Sequence, residues 1–291
     1  MIVYLSNFVI YTNAMYVVKA DGRREEFDRS KIVRTCLRMG VPREVAEEIA
    51  AKVEQRSYDG ISTREILQIV FELLSKHHHP SFRHRESLRD ALSALRPKPD
   101  FEQYVRLFFR EQGYTVLPNQ IVRGRCLDYE LDGIIEINGK KYMLEVKHHV
   151  NSHTRTGLEV CLAIYAKLLD LNKGYELGVS TIKFDGAIVV CNTKFTFHAI
   201  KYSECAGLIL LGWNYPKEKN LSTLIEKMKL YPITYVKGFD KEVYEKLGDS
   251  GIVLLKQVVS APVAELARVS GLDEELLSKF KEKAREILSK P

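Results

Sequence analysis

The stretch from Glu130 to His149 reads ELDGIIEINGKKYMLEVKHH. Apolar β-formers run on both sides of Asn138-Gly139. That dipeptide favours the positive φ angles of a two-residue hairpin turn, so it sets a strand pair and its register together. Ile137 then faces Lys140, and Glu136 faces Lys141. Counting outward puts Asp132 opposite Glu145 and Glu130 opposite Lys147. Opposed residues share a sheet face, with Cβ atoms about 4.5–5.5 Å apart. Lys147 lies two residues beyond Glu145 and joins that face. A bulge would shift the count by one, so the whole arrangement depends on an unbulged register.

Two adjacent carboxylates repel unless a cation stands between them. Mg²⁺, a hard ion that takes oxygen ligands, is one answer. Taken alone, the pattern is short and loose, and a surface hairpin with solvated cross-strand charge pairs is by far its commoner meaning.

A chain of 291 residues has room for two or three domains, and 45% hydrophobic content supports packed cores. The net charge of +6 is a mild pull toward anionic partners. The five cysteines include no C-x-x-C pair, which points to scattered reduced thiols in a cytoplasmic protein and away from zinc. The opening run MIVYLSNFVIYTNA is interrupted by Ser6, Asn7 and Thr12. It is too short and polar to span a bilayer and too poor in basic residues for a signal peptide, so no membrane partner is expected. Met15, just before a strand, is expected to be the natural start, which makes residues 1–15 an extension.

Three segments follow. In the first, 16–95, Tyr16–Lys19 and Glu25–Phe27 read as a hairpin around Asp21-Gly22. Asp28 caps a helix with Ile32, Val33, Cys36 and Leu37 on one face. A second helix carries Val45, Ile49 and Val53. A third opens on the capping box Ser62-x-x-Glu65 and buries Ile66, Ile69, Val70, Leu73 and Leu74. His77-His78-His79 reads as a polar helix end, and a fourth helix fits Ser87–Leu95. Arg96-Pro-Lys-Pro99 reads as a linker.

The second segment, 100–231, starts with a helix from Asp100 to Gly113 that buries Phe101, Tyr104, Val105 and Phe108. Strands are expected at Thr115–Val122, Leu127–Ile137 and Lys141–His148. A helix follows with Leu158, Cys161, Leu162, Tyr165 and Leu169 on its apolar face. Then come a strand at Ala187–Cys191, a helix at Phe197–Ala206 and a strand at Leu208–Leu211. The order implies an α/β (α+β) multidomain chain with a mixed sheet flanked by helices. The third segment, 232–291, is helical and repeats V-x-G-(F/L)-D-x-E: Gly238 precedes a helix capped by Asp240, and Gly271 one capped by Asp273.

The helix bearing Phe101-Glu102, the hairpin, and the following helix and strand resemble the PD-(D/E)XK nuclease superfamily, in particular the Mrr-like restriction endonucleases. The matching residues are Glu102, Asp132 and Glu145-Val146-Lys147, with Leu131-Asp132 in place of Pro-Asp. The resemblance implies a metal-dependent DNA endonuclease: Mg²⁺ or Mn²⁺ on Asp132, Glu145 and Glu102, and Lys147 beside them. His148, His149 and His153 fit either phosphate contact or a polar strand end. Asn192-Thr193-Lys194 fits DNA-phosphate contact, with Thr193 and Lys194 as the groups, or equally a capped helix with an exposed lysine.

Val18-Lys19, Glu25, Phe27, Lys31-Ile32 and Tyr58-Asp59-Gly60-Ile61-Ser62-Thr63 resemble the ATP-cone of ribonucleotide reductases and of the repressor of their genes. The likeness implies an ATP or dATP effector, with Lys19 and Lys31 on the phosphates and Val18, Glu25, Thr63 and Ile66 near base and sugar. Ala20 and Leu67 depart from the usual arginine and histidine. A small docking domain without ligand is the alternative. The C-terminal repeat resembles tandem helix-hairpin-helix domains, which implies DNA-backbone contact at Gly238 and Gly271; a docking or dimerisation bundle is the alternative. Together these imply a cytoplasmic, nucleotide-modulated endonuclease acting on DNA, with a homodimer left open. A non-catalytic nucleotide-responsive DNA-binding regulator on the same fold is the other reading.

Overall fold

The computed structural model describes residues 15–19, 22–38, 41–76 and 88–289. The extension before Met15, the turn residue Asp21, the histidine run 77–79 and Ser87 lie outside the described residues. The chain divides into two compact units, Met1–Arg85 and Glu86–Pro291.

In the first unit β1 (Tyr16–Val18) pairs antiparallel with β2 (Arg24–Glu26) and parallel with β3 (Ile61–Ser62). Helices α1 (Arg29–Arg38), α2 (Arg43–Arg56) and α3 (Thr63–Lys76) complete it. Asp28 starts α1, its carboxylate accepting from the Ser30 amide and hydroxyl. Ser62 Oγ accepts from the Glu65 amide at the start of α3, as the capping motif requires. The core is Val17, Ile32, Cys36, Ile49, Val53, Ile61, Val70 and Leu74 with their neighbours. Leu37, expected on the buried face of α1, is exposed.

The second unit begins with α4 (Leu88–Ala94), a π-type turn over Pro97–Phe101 and α5 (Glu102–Arg110). The expected linker is therefore built into this unit. Arg96 is bound to Asp100 at 2.8 Å and to the Glu245 carbonyl at 3.2 Å, so the two prolines sit in a tied turn. The helix consequently starts at Glu102 rather than Asp100.

Strands β4 (Thr115–Arg123), β5 (Asp128–Ile137) and β6 (Lys140–Lys147) form an antiparallel meander. After β7 (Arg155–Thr156) and α6 (Leu158–Glu176), strand β8 (Gly186–Cys191) joins β6 in parallel. Next come β9 (Lys194–Phe195), α7 (Phe197–Ala206) and β10 (Ile209–Leu211), giving the sheet order β10-β8-β6-β5-β4. This is the mixed sheet flanked by helices that the element order implied.

The two faces of the sheet carry separate cores. Leu131, Ile134, Met143 and Val189 pack with α6 and α7. Ile135, Leu144, Val146 and Val190 pack with α5 and with the C-terminal helices α8 (Leu221–Met228), α9 (Lys241–Asp249), α10 (Leu255–Ser260), α11 (Val263–Ser270) and α12 (Glu274–Ser289). The repeat thus closes one face of the sheet: Leu247 and Phe280, its equivalent positions, are both fully buried there. Asp273 caps α12 by accepting from the Leu276 amide, whereas Asp240 makes no such bond to α9.

On α6 the buried residues are Cys161, Ile164, Leu168 and Leu171, while Leu162 and Leu169 are exposed. The helix is apolar on more than one side, so periodicity alone selected the wrong stripe. Among the described residues no helix is long and apolar enough to cross a membrane.

Candidate nuclease centre and nucleotide pocket

The Asn138-Gly139 turn has both residues at positive φ and sets the expected register: Ile137 faces Lys140, Glu136 faces Lys141, and the ladder runs to Gly133 opposite Leu144. At the next level it stops. The Asp132 carboxylate takes the Val146 amide at 2.7 Å, in place of a strand-to-strand bond. The neighbouring ladder to β4 is interrupted at the same level, where Asn119 has a φ of 44° between the pairs Pro118–Gly133 and Gln120–Leu131. Arg106, buried on α5, fills the gap by donating to Asn119 Oδ1 at 2.9 Å and to the Asp132 carbonyl at 3.1 Å. The expected pair of Asp132 with Glu145 is therefore not part of the ladder; the two carboxylates lie near enough to act on each other's charge where β5 leaves its neighbours. The expected pairing of Glu130 with Lys147 does not form, because the ladder has ended.

Glu145 is buried and clamped. Lys147 Nζ donates to one carboxylate oxygen at 2.7 Å and Lys167 Nζ, from α6, to the other at 2.8 Å. Burial pushes its carboxyl up, but the two ammonium partners outweigh that and hold it below the ordinary glutamate value. Asp132 has the opposite balance. Burial, then the negative charges of Glu145 and Glu102, push it up to about 6 against the Val146 amide and Lys98. Glu102, buried on the first turn of α5, pairs with Lys98 at 3.2 Å and Arg106 at 3.7 Å.

The histidines after β6 are tied into the fold. His148 Nε2 donates to the Leu92 carbonyl at 3.1 Å, and its ring lies 5.0 Å from that of Phe101. His149 Nε2 meets Thr156 Oγ1 at 2.9 Å. Burial lowers both pKa values. His153 is exposed. Thr193 is fully buried, so its side chain offers no surface contact, while Lys194 is half-buried beside it. Gly238 and Gly271 both have positive φ, and Gly271 closes α11 just ahead of α12.

The first unit holds a pocket of about 220 Å³ between the sheet, α1 and α3, lined by Val17, Lys19, Glu26, Lys31, Thr63, Ile66 and others. Lys19, Lys31, Thr63 and Ile66 were expected at such a site. Val18 and Glu25 stand outside the lining. Glu25 instead binds both lysines, Lys19 at 2.6 Å and Lys31 through its other oxygen. Leu67 lines the pocket as well.

A sequence profile of the ATP cone domain matches residues 15–92, and one described as restriction endonuclease matches residues 94–213. An uncharacterized protein of Archaeoglobus fulgidus is 36% identical over 179 residues, 62% of this chain and 92% of that relative. The crystal structure of a protein of unknown function, AF1548, superposes with a TM-score of 0.56 at 32% identity, covering 69% of this chain and 98% of that one. The chain belongs to the Mrr-like restriction endonuclease family, with an ATP cone. The transcriptional repressor NrdR of Caldicellulosiruptor saccharolyticus is 43% identical over 68 residues, 21% of this chain and 44% of the repressor.

Among the described residues no group of three or more His, Cys, Asp or Glu side chains is disposed to hold a metal ion. The donor chemistry nevertheless suits a hard cation at Asp132 and Glu145: two carboxylates, one of them destabilised as an anion by burial and then by its acidic neighbours. Glu102 is engaged by Lys98 and Arg106 and joins them through its charge. Sequence reasoning missed two residues of this restriction-endonuclease-like centre. Lys167 and Arg106 lie outside the Asp–Glu–Lys pattern, one on a helix read only for its apolar face and the other on a helix read for that face and Glu102. Each is a charged residue set in a helix among buried apolar positions, the one signal that marked it.

Proposed function

We propose that the nuclease domain hydrolyses phosphodiester bonds of DNA with Mg²⁺ or Mn²⁺ held by Asp132 and Glu145, and that ATP or dATP in the cone's pocket modulates it. The observation that carries this reading is Asp132: it lies beside Glu145 just past the end of the ladder, with its carboxyl pushed up to about 6 by burial and neighbouring acids. An anion so disfavoured is relieved by a cation. A divalent ion there would polarise a phosphoryl oxygen and activate a water. Glu145 is kept ionised for this by Lys147 and Lys167. Lys147, the more exposed of the two, is placed to steady the attacking water or the charge that develops on phosphorus-bound oxygens. Glu102 adds negative charge to the same centre. Lys194 and the backbone at Gly238 and Gly271 supply sequence-independent contacts to the DNA strand.

The test is cleavage of linear, supercoiled, branched and single-stranded DNA with Mg²⁺ or Mn²⁺, with and without ATP or dATP. Cleavage should vanish with chelator and in Asp132→Ala and Lys147→Ala proteins that remain folded. Cleavage that survives both substitutions removes this assignment.

The engagement of Glu102 and Glu145 with four basic side chains favours a second reading, a nucleotide-responsive DNA-binding regulator without catalysis. It predicts DNA affinity that changes with ATP or dATP while no metal supports cleavage.

A further inference from the structure

A second polar cluster lies at the same end of the sheet, beyond Lys147 and Cys191, which face one another across β6 and β8. Arg89 stands on α4, one turn ahead of Ser93. Ser93 Oγ accepts from Asn192 Nδ2 at 2.8 Å. Asn192 in turn donates to the His149 carbonyl and accepts from the His149 amide, each at 2.8 Å. These bonds fix the face of α4 that carries Arg89 and Ser93 against the ends of β6 and β8. The short ladder β7–β9 adds Arg155 opposite Lys194.

Arg89 is the anomaly in this cluster. Its Nε is buried with no hydrogen-bond partner. Burial is the largest influence on its charge, Asp90 acts favourably, and the positive charge of Arg155 acts against it. A guanidinium held in such a place costs stability unless an anion completes it. The planar fork of arginine matches the oxygens of a phosphate, and a second guanidinium with a lysine beside it makes a monovalent carboxylate a weaker match.

We propose that Arg89, Arg155 and Lys194 form a binding site for a phosphate of the DNA backbone, neighbouring the bond that is cut. The assignment rests on the nuclease reading. Lys147 and Cys191 pair across β6 and β8, and Asn192, next to Cys191, is bonded to Ser93 on the helix that carries Arg89, so the cluster borders the strand ends on which Lys147 lies. The Arg89 site thereby positions the substrate and takes no part in the chemistry.

The test is duplex binding by the full chain in chelator, where no metal-dependent cutting occurs, measured by anisotropy across a salt series. Each phosphate contact contributes a slope of about 0.9 in log K against log salt. Arg89→Gln and Arg155→Gln should each flatten the slope by about that amount and weaken binding at low salt. Arg155→Gln alters an exposed side chain and so reads the site even if Arg89→Gln lowers the melting temperature. Unchanged slopes in both arginine variants, with the wild type still cleaving, overturn this site and spare the nuclease reading. Failure of the wild type to bind or cut DNA overturns both. Inorganic phosphate that stabilises the wild type but not Arg89→Gln, with unchanged DNA slopes, means a small phosphate ligand and overturns the DNA assignment.

Discussion

Arg106 donates to the carbonyl oxygen of Asp132 across 3.1 Å, so a cation on a helix holds the backbone of the acid whose strand has lost its partners. The same guanidinium reaches Asn119 and Glu102. It joins the interruption in β4, the end of the β5–β6 ladder and the first turn of α5 in one buried network. The carboxylate of Asp132 is aimed by what its own carbonyl is bound to.

Removing Arg106 therefore harms both stability and site. Arg106→Met leaves the Asp132 carbonyl unpaired and Glu102 with Lys98 alone. A loss of about 3 kcal/mol in denaturant unfolding is expected, since breaking a buried pair from one side strands its partner. Arg106→Lys keeps the charge without the fork and should fall between that and the wild type. Equal stability of all three proteins would show that the network holds nothing in place.

Lys167 acts through Glu145. With one of its two ammonium partners gone, burial gains weight and the Glu145 carboxyl rises. Lys167→Met should move the acidic limb of the rate–pH profile upward, with a loss of up to about tenfold per pKa unit on that limb and little change at neutral pH. Lys167→Arg should restore most of the rate. A uniform fall in rate with an unmoved acidic limb would assign Lys167 to packing.

Asp132 predicts a pH dependence of opposite sign in stability and activity. Its carboxyl titrates at about 6 in the fold against 3.8 ordinarily. The folded state binds the proton more tightly, so stability falls as pH rises from about 4 to about 6 and the full penalty persists above that. Asp132→Asn should thus abolish cleavage yet raise stability at pH 8 by on the order of 2 kcal/mol, discounted for partial exposure. At pH 5 the gain should shrink. Added Mn²⁺ should raise the melting temperature of the wild type more at pH 8 than at pH 5, and leave Asp132→Asn unmoved. A gain of equal size at both pH values would contradict the assignment.

How much of this was legible in the sequence follows from the range of each interaction. The Asn138-Gly139 turn and its next few pairs are local, and the strand and helix order came from them. The nearness of Asp132 to Glu145 was countable for the same reason, though the pair itself was not. What happens one step further was not. The ladder ends because Asn119, thirteen residues before Asp132, turns left-handed and Arg106 reaches in from α5. Lys167 was hidden because α6 carries apolar residues on several sides, and only packing against the sheet selects Cys161, Ile164, Leu168 and Leu171. Tertiary packing likewise made a tied turn of the prolines near Arg96, where local preference suggested a linker.

The cone's pocket tests the nucleotide half of the proposal. Lys19 and Lys31 line it, and both are bound by the Glu25 carboxylate. If these lysines meet the nucleotide phosphates, Glu25 competes with the ligand for them, since one carboxylate and one phosphate group make similar demands on an ammonium group. Glu25→Gln should then tighten ATP or dATP binding severalfold, and Lys31→Ala should weaken it by about tenfold, the equivalent of roughly 1.4 kcal/mol. Thr63→Ala and Ile66→Ala should have smaller effects, because they border the ligand without opposing its charge. Calorimetric titration of the full chain with each nucleotide gives these values directly. Weaker binding in Glu25→Gln would show that the carboxylate orders the two lysines for the phosphates, and no binding to the wild type would leave the cone as a docking module.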